Sequence, residues 1–387
     1  MSYLNEAKGM FQELVEIRRY LHQNPEIGFD LENTSKFVFN KLTEYGLAPE
    51  YIGENGVTAL IGEGDRTVLL RADMDALPIK EESGLEFSSQ NEYSHTCGHD
   101  IHTTSLLGAA KLLKQNESQL KGQIKFLFQP AEELLVGGKA MVEAGILENP
   151  KVDIGLACHV APDSKKGIAI KGGTLYTAGN NFKMKVKGEG SHGARPHKGI
   201  DPVLAACTIV SNMQSIITRE IPMNESAVIT AGKFIANGSQ NVIPGEVNIE
   251  GTVRTFNPAT QEYIKKRLPE FVRLLGEAQR VEVDFEFTSD VPSLVNDEEL
   301  TAELKPVAEN LLENDLEVYE LPQAFASEDF AFIAQEVPSL YFRLGMADPE
   351  RENYPVHHPK VVFDEDLIPY ASALFCELSS KWLEKNS

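Results

Sequence analysis

Apolar positions in the first third of the chain follow two alternating rhythms. Helical spacing runs near residues 4–22, 32–46 and 103–115, while short, mostly apolar strand-like runs stand at 67–71, 124–128 and 153–157. Continuous apolar strands that alternate with helices predict a mostly parallel sheet covered on both faces. From about residue 180 the texture changes. The stretch 182–188 alternates strictly between apolar and polar side chains, as a half-buried antiparallel strand does. A helix near 200–219, strands near 226–234 and 246–255, a helix near 258–276 and a strand near 281–287 complete a β-α-β-β-α-β order, the ferredoxin-like pattern. A helix near 297–313, a strand at 339–344 and a helix near 366–383 then return to the first texture. The expected fold is therefore α/β and two-domain. Residues 1–178 and 290–387 form a mixed, mostly parallel sheet sandwiched by helices, and residues 179–289 form an inserted α+β domain.

A chain of 387 residues exceeds the size at which one core usually stops growing, which agrees with two domains. Hydrophobic content of 42% is ordinary for a globular protein. A formal net charge of -22 repels phosphate backbones and no basic stripe offsets it, so nucleic acid is not an expected partner. No apolar run is long enough to span a bilayer, and the amino-terminal stretch is charged and helical in period rather than leader-like. The cysteines Cys97, Cys158, Cys207 and Cys376 show no short-spaced framework, which points to free thiols and a cytoplasmic setting.

Residues 95–102 read His-Thr-Cys-Gly-His-Asp-Ile-His. A lone histidine more often caps a helix than binds metal, but this density of imidazole, thiol and carboxylate suits a borderline-soft divalent ion. Glu132 and Glu133 follow an apolar strand, where ligands of open α/β sheets collect. His159 also follows an apolar run, and Asp73 and Asp75 end another. These two acids could be ligands or could orient ligating histidines. The pair His357-His358, beyond the strand at 339–344, offers one more donor.

The segments at 71–78 (RADMDALP), 95–102 (HTCGHDIH), 128–133 (FQPAEE), 191–197 (SHGARPH), 241–244 (NVIP), 251–256 (GTVRTF), 327–330 (SEDF) and 357–359 (HHP) occur in the order found in the M20 metallopeptidases. The chain resembles the amidohydrolase branch of that family, which includes hippurate hydrolases, auxin-conjugate hydrolases and N-acetyldiaminopimelate deacetylases. The resemblance covers nearly the whole chain. It implies a zinc-exopeptidase-like fold whose inserted domain is a lid and dimerisation module. It further implies two divalent ions, manganese or zinc with cobalt and nickel as further candidates, held by Cys97, His99, Glu133, His159 and His357, with Cys97 bridging. Glu132 is implied as general base. His192, in the inserted domain, is implied to stabilise an oxyanion, and Asn241 and Arg254 to contact the substrate's carboxylate.

The expected activity is hydrolysis of the amide bond of an N-acyl amino acid, in a homodimer or dimer-based oligomer. Two alternatives stand beside it: a metallo-di- or aminopeptidase of the same fold, and a non-catalytic metal-stabilised binding protein. A Cys97 nucleophile would leave Glu133, His159 and His357 without a task.

Overall fold

The computed structural model describes residues 2–320, 322–350 and 352–387. The chain divides into two units: Met1–Gly173 with Val295–Pro322 and Asp329–Ser387, and Thr174–Leu294 with Gln323–Glu328.

The first unit is built on an eight-stranded sheet. In spatial order its strands are Glu50–Ile52, Gly56–Gly62, Gln123–Gln129, Thr67–Asp73, Ile154–Lys165, Ser339–Ala347, Gly167–Ala169 and Val318–Tyr319. The four from Gln123–Gln129 to Ser339–Ala347 run parallel, so their carboxyl ends share one edge. Thr67–Asp73 is buried at every position, which explains the apolar run Val68, Leu69, Leu70 at its centre. Helix His99–Gln115 packs against this sheet and against helices Phe11–Gln23 and Ile368–Asn386. It is buried on almost all sides, from His99 through Ala110 and at Leu112 and Leu113.

Two element boundaries differ from expectation. The helix expected from 103 begins at His99, because Gly98 takes a left-handed backbone (φ +85) that starts it earlier. A Cβ at Gly98 would also lie 2.3 Å from Val160 Cγ2, so the close approach of helix and strand requires glycine. The helix expected over 4–22 is two, Tyr3–Gly9 and Phe11–Gln23, broken at Met10, whose φ and ψ of −95° and 4° are not helical.

The second unit carries an antiparallel sheet ordered Ala227–Ile235, Glu246–Thr255, Ala178–Lys187, Glu282–Phe287. In chain order this is second, third, first, fourth, with helices Pro202–Ser215 and Pro258–Ala278 between, which is the ferredoxin-like arrangement. Phe182, Met184, Val186, Val247, Ile249 and Val253 pack from the sheet against Ile209, Met213, Ile264 and Leu268 from the helices. The opposite sheet face places Lys183, Lys185 and Lys187 between acids of both neighbours, such as Glu250, Asp284 and Glu282. Strict alternation follows from one face being solvated. Among the described residues no helix is long and apolar enough to cross a membrane.

Candidate metal centre

The parallel strands of the first unit deliver their chemistry at one edge. Thr67–Asp73 ends in Asp73, with Asp75 two residues on. Asp75 uses both carboxylate oxygens to accept the backbone N–H groups of Glu132 and Glu133, each at 3.1 Å. The loop carrying the two glutamates is tight: Ala131 and Leu135 both adopt positive φ (58° and 56°), and Leu135 N–H donates to Glu132 O at 2.6 Å. Left-handed non-glycine residues cost of order 1 kcal/mol each and persist where surrounding structure imposes them.

Cys97 Sγ lies 3.3 Å from His159 Nε2. His159 donates its Nδ1 hydrogen to Val160 O at 2.6 Å, so in the neutral ring Nε2 carries the lone pair and faces the thiol. His99 stands between carboxylates, with Nδ1 3.4 Å from Asp75 and Nε2 3.8 Å from Glu132 and 3.9 Å from Glu133. His357 Nε2 lies 3.5 Å from Glu133 Oε2, and the backbone N–H of His357 donates to Thr96 O at 2.9 Å. His358 instead stacks on Tyr354, centroids 4.2 Å apart, and accepts the N–H of Lys360. Of the adjacent histidines it is His357 that meets Glu133.

The distances of His99 and His357 from Glu132 and Glu133, 3.5 to 3.9 Å, are too long for good hydrogen bonds, yet suit donors that share an ion. Two ligands each about 2.0–2.3 Å from one tetrahedral centre lie roughly 3.3–3.8 Å apart. Both ring nitrogens of His99 and Oε1 of Glu133 are buried without a hydrogen-bond partner. Buried polar atoms are rarely left so. Cys97, His99 and His159 form one group of mutually close donors, Cys97, Glu133 and His357 a second, and His99, Glu132 and Glu133 a third. Burial opposes charge on His99, but Asp73, Asp75 and Glu133 prevail and push it up to about 10. Burial, then Glu133, Glu132 and Asp73, push the Cys97 thiol well up. The site is a sink of negative potential with sulfur, nitrogen and oxygen donors, and these residues fit a divalent ion.

Other side chains hold this set in place. His102 belongs to the sequence cluster but both its nitrogens are engaged: Nδ1 donates to Asp73 Oδ1 at 2.6 Å and Nε2 accepts the N–H of Val160 at 2.9 Å. It braces the strand next to His159 and is not a free donor. Behind it, Arg71 donates to Asp73 (2.7 Å), Gln129 (2.9 Å) and Asp329 (3.0 Å), all buried. Sequence reasoning assigned no role to Arg71, Gln129 or Asp329, although they lie in or beside quoted segments. On the far side of the helix start, Asp100 is paired with His22 at 2.8 Å and Arg18 at 2.9 Å, and His22 Nε2 meets Glu81 at 3.0 Å.

His192, Asn241 and Arg254 belong to the second unit. His192, on the ribbon Ser191–His192/Val242–Ile243, and Asn241, in the turn just before its second strand, are both exposed, and Gly193 N–H donates to Asn241 O at 2.7 Å. His192 Nδ1 accepts the N–H of Ala194. Arg254 lies on strand Glu246–Thr255, opposite Gly179 and Val228.

Peptidase family M20/M25/M40 matches residues 69–381. The N-acetyl-L-cysteine deacetylase of Bacillus subtilis (strain 168) is 36% identical over 380 residues, spanning 97% of this chain and 89% of that protein. The IAA-amino acid hydrolase ILR1-like 4 of Arabidopsis thaliana is 36% identical over 391 residues, 98% of this chain and 88% of that protein. Among solved structures, the YXEP protein of Bacillus subtilis, described as a dinuclear metal binding peptidase from M20 family, superposes with a TM-score of 0.83. It is 31% identical and covers 97% of this chain and 99% of its own. With the family matched along most of its length and these relatives spanning nearly all of it, the chain belongs to peptidase family M20/M25/M40, in its amidohydrolase branch.

Proposed function

We propose that this protein is a dinuclear metal-dependent amidohydrolase that cleaves N-acyl amino acids into a carboxylic acid and a free amino acid. The observation that carries this reading is a pair of adjacent glutamates with different surroundings, both fixed by Asp75. Glu133 shares a donor group with Cys97 and His357, while Glu132 stands next to His99. In this reading Cys97, His99, Glu133, His159 and His357 would hold two divalent ions. Thiolate and imidazole suit zinc, the carboxylate suits manganese, and cobalt or nickel can enter the same donor set. Such ions supply Lewis acidity that polarises the scissile carbonyl and lowers the pKa of water from about 15.7 toward ~7.

Glu132 takes the water proton on its carboxylate and passes it to the leaving nitrogen as the C–N bond breaks. His192 donates a hydrogen bond to the oxyanion of the tetrahedral intermediate. Asn241 and Arg254 hold the substrate's α-carboxylate, which an arginine fork matches in two parallel hydrogen bonds. The activities named for two relatives, N-acetyl-L-cysteine deacetylase and IAA-amino acid hydrolase, agree with a substrate of this class. Residues 179–289 act as lid and homodimer contact. The edge strand Ala227–Ile235, which exposes Val228 and Phe234, supports that contact. Four free cysteines support a cytoplasmic setting.

The test is a hydrolysis screen of N-acetyl, N-benzoyl and N-indolylacetyl amino acids with manganese, zinc, cobalt or nickel, against a chelated control. Metal-dependent release of free amino acid is expected. Turnover confined to unblocked dipeptides would establish a peptidase instead, and metal uptake without turnover of any substrate would leave a binding protein.

A further inference from the structure

We infer that Ser327 and Gly179 are positioning residues that preset the Arg254 guanidinium as a carboxylate seat, an inference that rests on the carboxylate-binding role proposed above for Arg254. Arg254 is half-buried, and burial pulls its pKa down without an opposing charge. In a protein with 58 acidic residues, none of those described is paired with this arginine. A partly desolvated cation left without an anion is a costly arrangement unless a ligand supplies one.

The guanidinium is nevertheless held. Its Nη1 donates to Ser327 Oγ at 2.5 Å. Ser327 spends its own hydroxyl hydrogen on Thr177 O at 3.2 Å, so an oxygen lone pair is what it turns toward arginine. The short segment carrying Ser327 is fastened to the start of the second unit. Ala324 N–H donates to Leu175 O and Thr177 Oγ1 donates to Ala326 O, both at 2.9 Å. Gly179 makes the room. A Cβ there would lie 2.5 Å from Arg254 Nη1 and 2.7 Å from Ser327 Oγ. Its backbone cannot retreat, because Gly179 and Val291 exchange N–H···O bonds of 2.9 and 3.1 Å.

Anchoring one nitrogen through a hydroxyl leaves the guanidinium's remaining N–H groups to meet a carboxylate in bidentate fashion. A hydroxyl does so without neutralising the charge, which an Asp or Glu at position 327 would. Fixing the side chain beforehand also lowers the ordering cost when substrate arrives.

The experiment uses the metal-loaded full-length enzyme, with an N-acetyl amino acid and its α-carboxamide as paired substrates. The quantity read is the ratio of their kcat/KM values. Ser327→Ala and Gly179→Ala are each expected to lower the ratio about tenfold, through KM for the carboxylate substrate, as loss of a hydrogen bond to a charged group does. Ser327→Thr, which keeps the hydroxyl, is expected to restore it. Arg254→Ala should abolish the preference. If Arg254→Ala abolishes it while Ser327→Ala and Gly179→Ala keep it, the positioning inference is overturned and the carboxylate reading stands. If Arg254→Ala keeps the preference, the carboxylate reading itself fails. Equal losses on both substrates in the Ser327 variant mark a merely structural role and also overturn the inference. Should Gly179→Ala not fold, Ser327→Ala decides alone.

Discussion

Asp73 accepts the Nδ1 hydrogen of His102 at 2.6 Å, and His102 in turn accepts the N–H of Val160, the residue after His159. A side chain outside the proposed ligand set therefore fixes the strand beside one within it. His102→Leu should strand one oxygen of the buried Asp73 carboxylate, whose other oxygen keeps Arg71, and the buried N–H of Val160, each worth about 1–3 kcal/mol. It should also weaken metal affinity by about 10- to 100-fold, as loss of an orienting partner does. Calorimetric titration of apoprotein with zinc or manganese, alongside a thermal melt, checks both. Unchanged affinity in a destabilised variant would confine His102 to the core.

The paired glutamates divide differently. Glu132→Gln is expected to keep its metal content and lose about 10²- to 10⁴-fold in kcat, the range for a missing general base. Glu133→Gln should lose metal as well. Metal analysis after gel filtration with minimal chelation separates the two, and equal metal loss in both variants would refute the division.

His192 lies in the second unit, and the proposed dimer lets it serve either its own subunit's site or the partner's. The expectation is the partner's. Mixing inactive His192→Ala and Glu132→Gln subunits should then restore activity to about a quarter of wild type, since half of randomly formed dimers are mixed and each has one intact site. No recovery after verified subunit exchange would place His192 in its own subunit's site, and an active His192→Ala homodimer would place it outside catalysis.

The His22–Glu81 contact predicts a pH window. Burial would raise the Glu81 carboxyl, but hydrogen bonding and charge from His22 hold it down at about 2, against an ordinary 4.5. Its contribution is present above pH 4.5 and is lost as pH falls toward 2. Burial and Arg18 push His22 down, yet Asp100 and Glu81 prevail and raise it above its ordinary 6.5. That contribution is complete below 6.5 and is lost as pH rises through the raised value. The melting-temperature gap between wild type and Glu81→Gln should therefore be widest between pH 4.5 and 6.5. A gap that keeps growing toward pH 9 would contradict the assignment.

How much of this was legible varies with the kind of signal. Strand Thr67–Asp73 is legible from the apolar run Val68, Leu69, Leu70, and strand Ala178–Lys187 from alternation, because each is buried on a definite number of faces. The cluster at 95–102 stood out by density alone. The start of helix His99–Gln115 did not, because a helix buried on almost all sides has no polar face to give it a period, and its first turn is made of site residues. The engagement of His102 was illegible for another reason: its partners, Asp73 and Val160, are 29 and 58 residues away. Nor could spacing show that Ser327 lies against Arg254, 73 residues earlier, since only the strap at 323–328 brings them together.

The donors also arrive at different times. Cys97, His99, Glu133 and His159 lie in the first stretch of the chain, but His357 follows only after the whole ferredoxin-like insertion has been made. At roughly 5–20 residues per second, the ~200 residues that separate it from His159 take on the order of 10–40 s to synthesise. Throughout that interval the nascent polypeptide carries Cys97, His99, Glu133 and His159, four of the five proposed ligands. On the proposed ligand set, the complete centre can therefore close only once the insertion has been translated.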